Sequence, residues 1–186
     1  MTDSEKLREI LLKKSVIVGE EDQFTLASGA KSNFYVDCRL TAMDARGAML
    51  VGRLGWQRIK EAEIHAAGVG GLTMGADPVS LAIAIASGVD SKNEEPLHAF
   101  AIRKEAKEHG RGKQIEGNFA KGMRVVVVDD VITTGGSTLK AIDAIEAAGG
   151  KVVLAVVMVD REEGGREAIE KRGIPVESLF GKSELL

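Results

Sequence analysis

The stretch Arg124-Val-Val-Val-Val-Asp-Asp-Val-Ile-Thr-Thr-Gly-Gly-Ser-Thr138 constrains the fold more than any other part of the chain. Val125 to Val128 are apolar and β-branched at every position and too few for a helix. They read as a strand buried on both faces of a parallel sheet. Asp129 and Asp130 follow where such a strand emerges at its C-terminal end, and small residues then lead into an amphipathic helix expected from about Leu139. Glycines let backbone N–H groups approach an anion closely, hydroxyls add donors, and a helix N-terminus favours negative charge. The two acids cannot face that same anion. They suit sugar hydroxyls or a hydrated divalent cation. An isolated Asp-Asp would read as a solvated turn, but the buried strand before it and the hydroxyl-rich turn after it favour a ligand, and a phosphorylated sugar satisfies both halves.

Around this stretch the chain alternates in character. A helix opened by Asp3 or Ser4 should end near Ser15, followed by short strands at Val16–Val18 and Phe24–Leu26, a turn over Ser28–Ser32, and an aromatic stretch over Asn33–Arg39. This early region reads as a small cap. A helix is expected over about Asp44–Lys60, and core strands over Ile64–Val69, Leu97–Ile102, Val125–Val128, Val152–Val159 and Val176–Phe180. Helices should run from the Gly70–Pro78 loop to about Ser87, from Leu139 to about Ala148, and over Glu167–Arg172. Such alternation predicts an open, mostly parallel α/β sheet flanked by helices, with ligands at the carboxyl ends of the strands. At 186 residues it reads as one domain over 1–186, with about 1–40 forming the cap and about 41–180 the core.

Composition excludes several classes. A net charge of -3 gives no reason to expect nucleic acid as a partner. Cys38 is the one cysteine, so no internal disulfide can form and a reducing compartment is compatible. No apolar run approaches the roughly 20 residues of a membrane span, and the N-terminus lacks a hydrophobic signal core. No membrane partner is expected, and the default location is cytoplasmic. The G-x-G-x-x-G dinucleotide fingerprint fails because Thr73 occupies its third glycine position, and no P-loop motif occurs. Three scattered histidines and one cysteine cannot build a structural zinc site. His65 and His98 sit in apolar surroundings and read as structural, and Cys38 and Trp56 as packing residues.

Two further features carry charge. Residues 103–113 hold five basic and two acidic side chains. A solvated loop and a mobile lid hinged at Gly110 and Gly112 both fit that pattern. Arg161 follows Val159-Asp160 at a strand end, where a guanidinium can serve a carboxylate or a phosphate as a bidentate donor.

The 125–137 stretch resembles the phosphoribosyl-pyrophosphate motif of the Rossmann-like type I phosphoribosyltransferase family. Three more segments, Phe24–Asp37, Arg103–His109 and Val159–Gly165, resemble its orotate-using branch, in the same order along the chain. The resemblance implies Mg2+-dependent transfer of ribose 5-phosphate from phosphoribosyl pyrophosphate to orotate, giving orotidine 5′-monophosphate in pyrimidine synthesis. It implies that Asp129 and Asp130 hold the ribose hydroxyls. The run Val131, Ile132, Thr133, Thr134, Gly135, Gly136 and Ser137 would bind substrate, with Thr133 to Ser137 on the 5′-phosphate and Thr133 also against orotate. Arg161 would meet the orotate ring substituents, and Lys31 would face the substrate from the cap. Arg103, Lys104, Lys107 and His109 would meet pyrophosphate, with Lys104, Lys107, His109 and Asp129 as the catalytic set. Mg2+ would be held mainly by substrate, with water between it and Asp129 or Asp130. A homodimer would share the 103–117 loop across subunits.

Where some family members carry a lysine after the first core strand, this chain reads Gly71-Leu-Thr-Met-Gly75, so no cationic role is expected there. A purine-base transferase is the rival enzyme, which Arg161 and the 103–109 segment argue against. A non-catalytic regulator sensing the same donor is another. A DNA-reading form of it would need an additional winged or helix-turn-helix segment, and only about 20 residues precede the Phe24–Asp37 segment.

Overall fold

The structure, a computed structural model, describes residues 1–19, 24–25, 31–90, 95–105 and 114–186. Helix α1 (Asp3–Lys14) is capped by Thr2 rather than by Asp3 or Ser4. The Glu5 N–H donates to the Thr2 hydroxyl at 3.2 Å while the Thr2 N–H donates to the Glu5 carboxylate at 2.7 Å. Two orphan donors are thereby satisfied reciprocally. Strands β1 (Val16–Val18), β2 (Phe24–Thr25), β3 (Lys31–Ser32) and β4 (Phe34–Val36) form two antiparallel pairs, β1 with β4 and β2 with β3. Lys31 and Ser32 are thus strand rather than turn; Leu26 and the rest of the expected turn lie outside the described residues. Helix α2 (Arg39–Ala42) is too short to leave a periodic signal in the sequence. Helix α3 (Ala45–Glu61) starts at Asp44, whose carboxylate accepts from the N–H groups of Arg46 and Gly47 at 3.0 and 2.9 Å.

The rest builds a six-stranded sheet. In chain order come β5 (Gly68–Leu72), α4 (Ala76–Asp90), β6 (His98–Ile102), β7 (Ile115–Gly117), β8 (Arg124–Ile132), α5 (Gly136–Ala147), β9 (Lys151–Asp160), α6 (Gly165–Glu170) and β10 (Val176–Gly181). The spatial order is β10-β9-β8-β5-β6-β7, parallel throughout except for β7, which runs antiparallel to β6. Strand β7 falls where a loop was expected, because three residues on an edge are too few to show alternation.

Side chains alternate across β8 and β9 and meet a helical layer on each face. Val126, Val128, Leu154 and Met158 pack with Leu7, Leu50, Val51 and Ile83 from α1, α3 and α4. Val125, Val127, Ala155 and Val157 pack with Ile142, Ile145 and Ile169 from α5 and α6. Each fully buried valine contributes about 1.5–3 kcal/mol relative to exposure. That is why the run is apolar without interruption.

Three boundaries differ from expectation in ways that matter. The first core strand is Gly68–Leu72, not Ile64–Val69. Gly70 and Gly71 lie inside the sheet because a side chain at Gly70 would strike Phe100, and one at Gly71 the Val128 carbonyl. Close backbone approach, not a turn, requires these glycines. Strand β8 continues to Ile132, so Asp129 and Asp130 belong to the strand itself. Helix α5 begins at Gly136, three residues before Leu139. His65 and His98 are exposed rather than packed, while Cys38 is fully buried. Among the described residues no helix is long and apolar enough to cross a membrane.

Candidate active site

Strand β8 pairs with β9 as far as Ile132↔Asp160, which carries both acids to the carboxyl edge of the sheet. Asp129 is 6% exposed. Its Oδ2 accepts from the Thr138 hydroxyl at 2.9 Å and its Oδ1 from the Asp130 N–H at 3.0 Å. The Val131 N–H donates to Asp130 Oδ1 at 3.0 Å. Burial, reinforced by the Asp130 charge, pushes the Asp129 carboxyl up to about 7. Burial raises Asp130 as well, against its hydrogen bonds and the charge of Arg39. Two carboxyls crowded in a dry site do not ionise together easily. A ligand bringing hydroxyl donors or a cation would complete them.

The turn between β8 and α5 is held by a second turn. Gly135 takes φ 81°, and a side chain there would press on the Gly165 carbonyl at 3.0 Å. One at Gly165 would reach the Thr133 carbonyl at 2.5 Å. The two glycine turns therefore pack backbone to backbone. Thr134, Gly136 and Ser137 are left exposed at the mouth of α5, while Ile132 is buried and can offer a ligand only its backbone. The first turn of α5 bears no acidic residue, so its dipole favours an anion without opposition.

A cleft of about 310 Å3 opens over the acids. Its walls are Asp129 to Val131, Ser137, Lys104, the Leu72–Gly75 loop after β5, and Tyr35, Asp37 and Arg39 from the N-terminal elements. Leu72, Lys104 and Ser137 also border a neighbouring cleft of about 600 Å3, to which Lys140 contributes a further cation. Lys104 therefore stands where the two meet.

The remaining expected residues are placed differently. Arg161 is 4% exposed and drawn inward, its Nε and Nη2 3.1 and 3.0 Å from Glu163 Oε1. Arg103 donates from Nε to Glu116 on β7 at 3.1 Å, at the surface. Lys31 is exposed on β3 and does not border the cleft. Lys107 and His109 lie outside the described residues. Conversely, Asp37, Arg39 and Thr138 were not singled out as site residues. Thr138 belongs to the same hydroxyl-rich stretch as Thr133, Thr134 and Ser137, whereas Asp37 and Arg39 reach the cleft only through the tertiary fold.

A divalent cation would find few direct ligands here. Among the described residues no group of three or more His, Cys, Asp or Glu side chains could cage one. Asp129 and Asp130 fit an ion bound chiefly by substrate phosphates, the habit of Mg2+ with one or two carboxylates nearby.

A parallel sheet whose central strand ends in paired acids, followed by a glycine-led helix N-terminus, defines a phosphoribosyltransferase, and the model of the phosphoribosyl transferase domain matches residues 44–178. The orotate phosphoribosyltransferase of Aquifex aeolicus is 47% identical over 186 residues, covering 100% of this chain and 99% of its own. That of Mycobacterium tuberculosis, solved with Fe(III) dicitrate, superposes with a TM-score of 0.83 at 41% identity, covering 99% of both chains. The same enzyme solved with 5-phospho-α-D-ribosyl 1-diphosphate gives 0.79 at 38% identity, again over 99% of both. The chain belongs to the orotate phosphoribosyltransferase family.

Proposed function

We propose that this chain transfers the ribose 5-phosphate group of phosphoribosyl pyrophosphate to orotate, forming orotidine 5′-monophosphate and pyrophosphate in pyrimidine synthesis. The observation that carries this reading is the cleft in which Asp129 and Asp130 lie beside the open N-terminus of α5, with Lys104 on its rim.

The bond from the anomeric carbon to the pyrophosphate oxygen breaks with its electron pair leaving on oxygen. A new bond forms between that carbon and an orotate ring nitrogen, whose N–H proton is released to solvent. Asp129 and Asp130 accept hydrogen bonds from the ribose hydroxyls, and Thr138 holds Asp129 in place for this. Backbone N–H groups and hydroxyls of Thr133 to Ser137 receive the 5′-phosphate. Lys104 offsets charge on the departing pyrophosphate, where preorganised cations act most strongly. Lys107 and His109 are assigned the same task. Arg103 joins them by exchanging its exposed Glu116 partner for pyrophosphate. Arg161 meets orotate from the end of β9, and Lys31 faces substrate from the cap. Bound Mg2+, reached through water by Asp129 or Asp130, would supply further neutralisation of the pyrophosphate.

A homodimer belongs to this proposal. Met49 on α3 and Leu81, Ile85 and Val89 on α4 are 48%, 54%, 66% and 83% exposed, an apolar face of the kind that marks an association surface. In that dimer the 103–117 segment would be shared across subunits. The free thiol of Cys38 suits the reducing cytoplasm.

The test is direct. Purified protein with phosphoribosyl pyrophosphate, Mg2+ and orotate should release pyrophosphate, while adenine, hypoxanthine or uracil in place of orotate should not support it. No turnover with orotate would overturn the reading.

A further inference from the structure

Arg39 has no part in the roles above, yet it borders the cleft. It is the first residue of α2, and Asp37 grips it from two residues upstream. The guanidinium Nε donates to Asp37 Oδ1 and Nη2 to Oδ2, both at 2.8 Å, and the Arg39 N–H adds a third bond to Oδ1 at 3.2 Å. Side-on pairing of this kind fixes the plane of the guanidinium on a stem that would otherwise sample many rotamers. Nη1 points away from the fork and has no hydrogen-bond partner among the described residues.

The charges around it give this geometry a consequence. The described side chains lining the cleft include three acids, Asp37, Asp129 and Asp130, against two bases, Arg39 and Lys104. The Leu72–Gly75 loop adds no cation. A donor carrying a pyrophosphate, even one accompanied by Mg2+, is held at such a wall more readily where fixed positive groups meet its charge. Arg39 offers one next to Asp130, whose charge it already counters.

We propose that Arg39 is a binding residue for the pyrophosphate end of the donor, with Asp37 orienting it so that Nη1 presents its two N–H groups to phosphate oxygens beside the Leu72–Gly75 loop. This rests on the activity proposed above. The alternative is a pair that only braces the cap. The ion pair is half-exposed, with side chains 45% and 18% accessible, and exposed pairs contribute little to stability. A purely bracing role therefore leaves substrate affinity almost untouched.

Arg39→Met and Arg39→Lys separate the two. Steady-state kinetics would give KM for each substrate, calorimetry the affinity for inorganic pyrophosphate with Mg2+, and thermal melting the stability. Arg39→Met is expected to raise KM for phosphoribosyl pyrophosphate and weaken pyrophosphate binding by about tenfold or more, with KM for orotate changed less than about threefold and the melting temperature nearly unchanged. Arg39→Lys should recover only part of the loss, because it keeps the charge but not the fork. Pyrophosphate affinity within about twofold of the parent, or equal loss for both substrates with a lowered melting temperature, overturns the assignment. If the parent protein fails to use orotate, the activity reading falls, while pyrophosphate calorimetry still decides the role of Arg39.

Discussion

The Arg161 guanidinium donates from Nη2 to the Phe34 main-chain carbonyl at 3.2 Å and lies 5.5 Å from the centroid of the same residue's ring. Phe34 is fully buried, and the Lys182 ammonium lies 5.8 Å from the same ring. The end of β9 is thus joined to β4 by a cation whose charge is balanced by Glu163. The same contact aligns β4 with the sheet edge and orients the residue proposed to meet orotate. Arg161→Lys cannot reproduce both contacts and leaves a buried ammonium with poorer pairing. We expect a loss of about 2–3 kcal/mol in stability, read by urea denaturation. KM for orotate should rise more than KM for phosphoribosyl pyrophosphate, and equal rises would argue that only the packing of β4 on the sheet edge has loosened.

Gly75 tests the position of Asp130. A methyl group there would run into the Asp130 carboxylate. Gly75→Ala should displace that carboxylate and lower kcat/KM for phosphoribosyl pyrophosphate by about a hundredfold, the scale of one misplaced site group. Melting temperature should change by only a few degrees, since the acid can swing into the open cleft. Near-parental kinetics would show that Asp130 need not occupy its observed place.

The raised Asp129 carboxyl predicts a pH dependence of stability. Its pKa goes from 3.8 in the unfolded chain to about 7 in the fold. Between those values the folded state holds a proton that the unfolded state has released, so stability falls as pH rises through this window and levels off above it. Asp129→Asn keeps an acceptor for the Asp130 N–H, turns its amide N–H toward the Thr138 hydroxyl as donor, and removes the titration. It should flatten the slope and make the ligand-free protein more stable than the parent at pH 8. Denaturant melts at pH 5 and pH 8 measure this, and an unaltered slope would assign the dependence elsewhere.

Lys104→Ala should remove roughly 3–4 kcal/mol of transition-state stabilisation, comparable to losing one strong preorganised donor. A fall in activity of less than about tenfold would sink that role. If the 103–117 segment serves the partner's cleft, mixing Lys104→Ala subunits with Asp129→Asn subunits should restore up to about a quarter of the parental activity, because half the dimers are mixed and each has one intact site. No recovery after confirmed subunit exchange would place Lys104 in its own subunit's cleft.

The fold and the cleft were unequally legible. Val125 to Val128, the two acids and the small residues after them are adjacent in the chain, so their joint meaning survives without coordinates. So do the helix expected from about Asp44 and the alternation that demands a parallel sheet. Gly70 and Gly71 misled because the sequence shows that they are glycines but not what comes close to them. Phe100 and the Val128 carbonyl, which exclude a side chain there, arrive from other strands. Strand β7 was too short to carry a pattern, and the residues expected at 107 and 109 lie outside the described structure.

By itself the sequence determined the class of sheet, the strand that ends in the acids, and the glycine-led turn after it, because each depends on short-range periodicity and backbone chemistry. Only the tertiary structure decided which charges meet. Arg161 turned inward to Phe34, Arg103 paired with Glu116, and Arg39 came to stand beside Asp130. Electrostatic contacts depend on distance and burial in space, and residues 91 positions apart carry no local record of either.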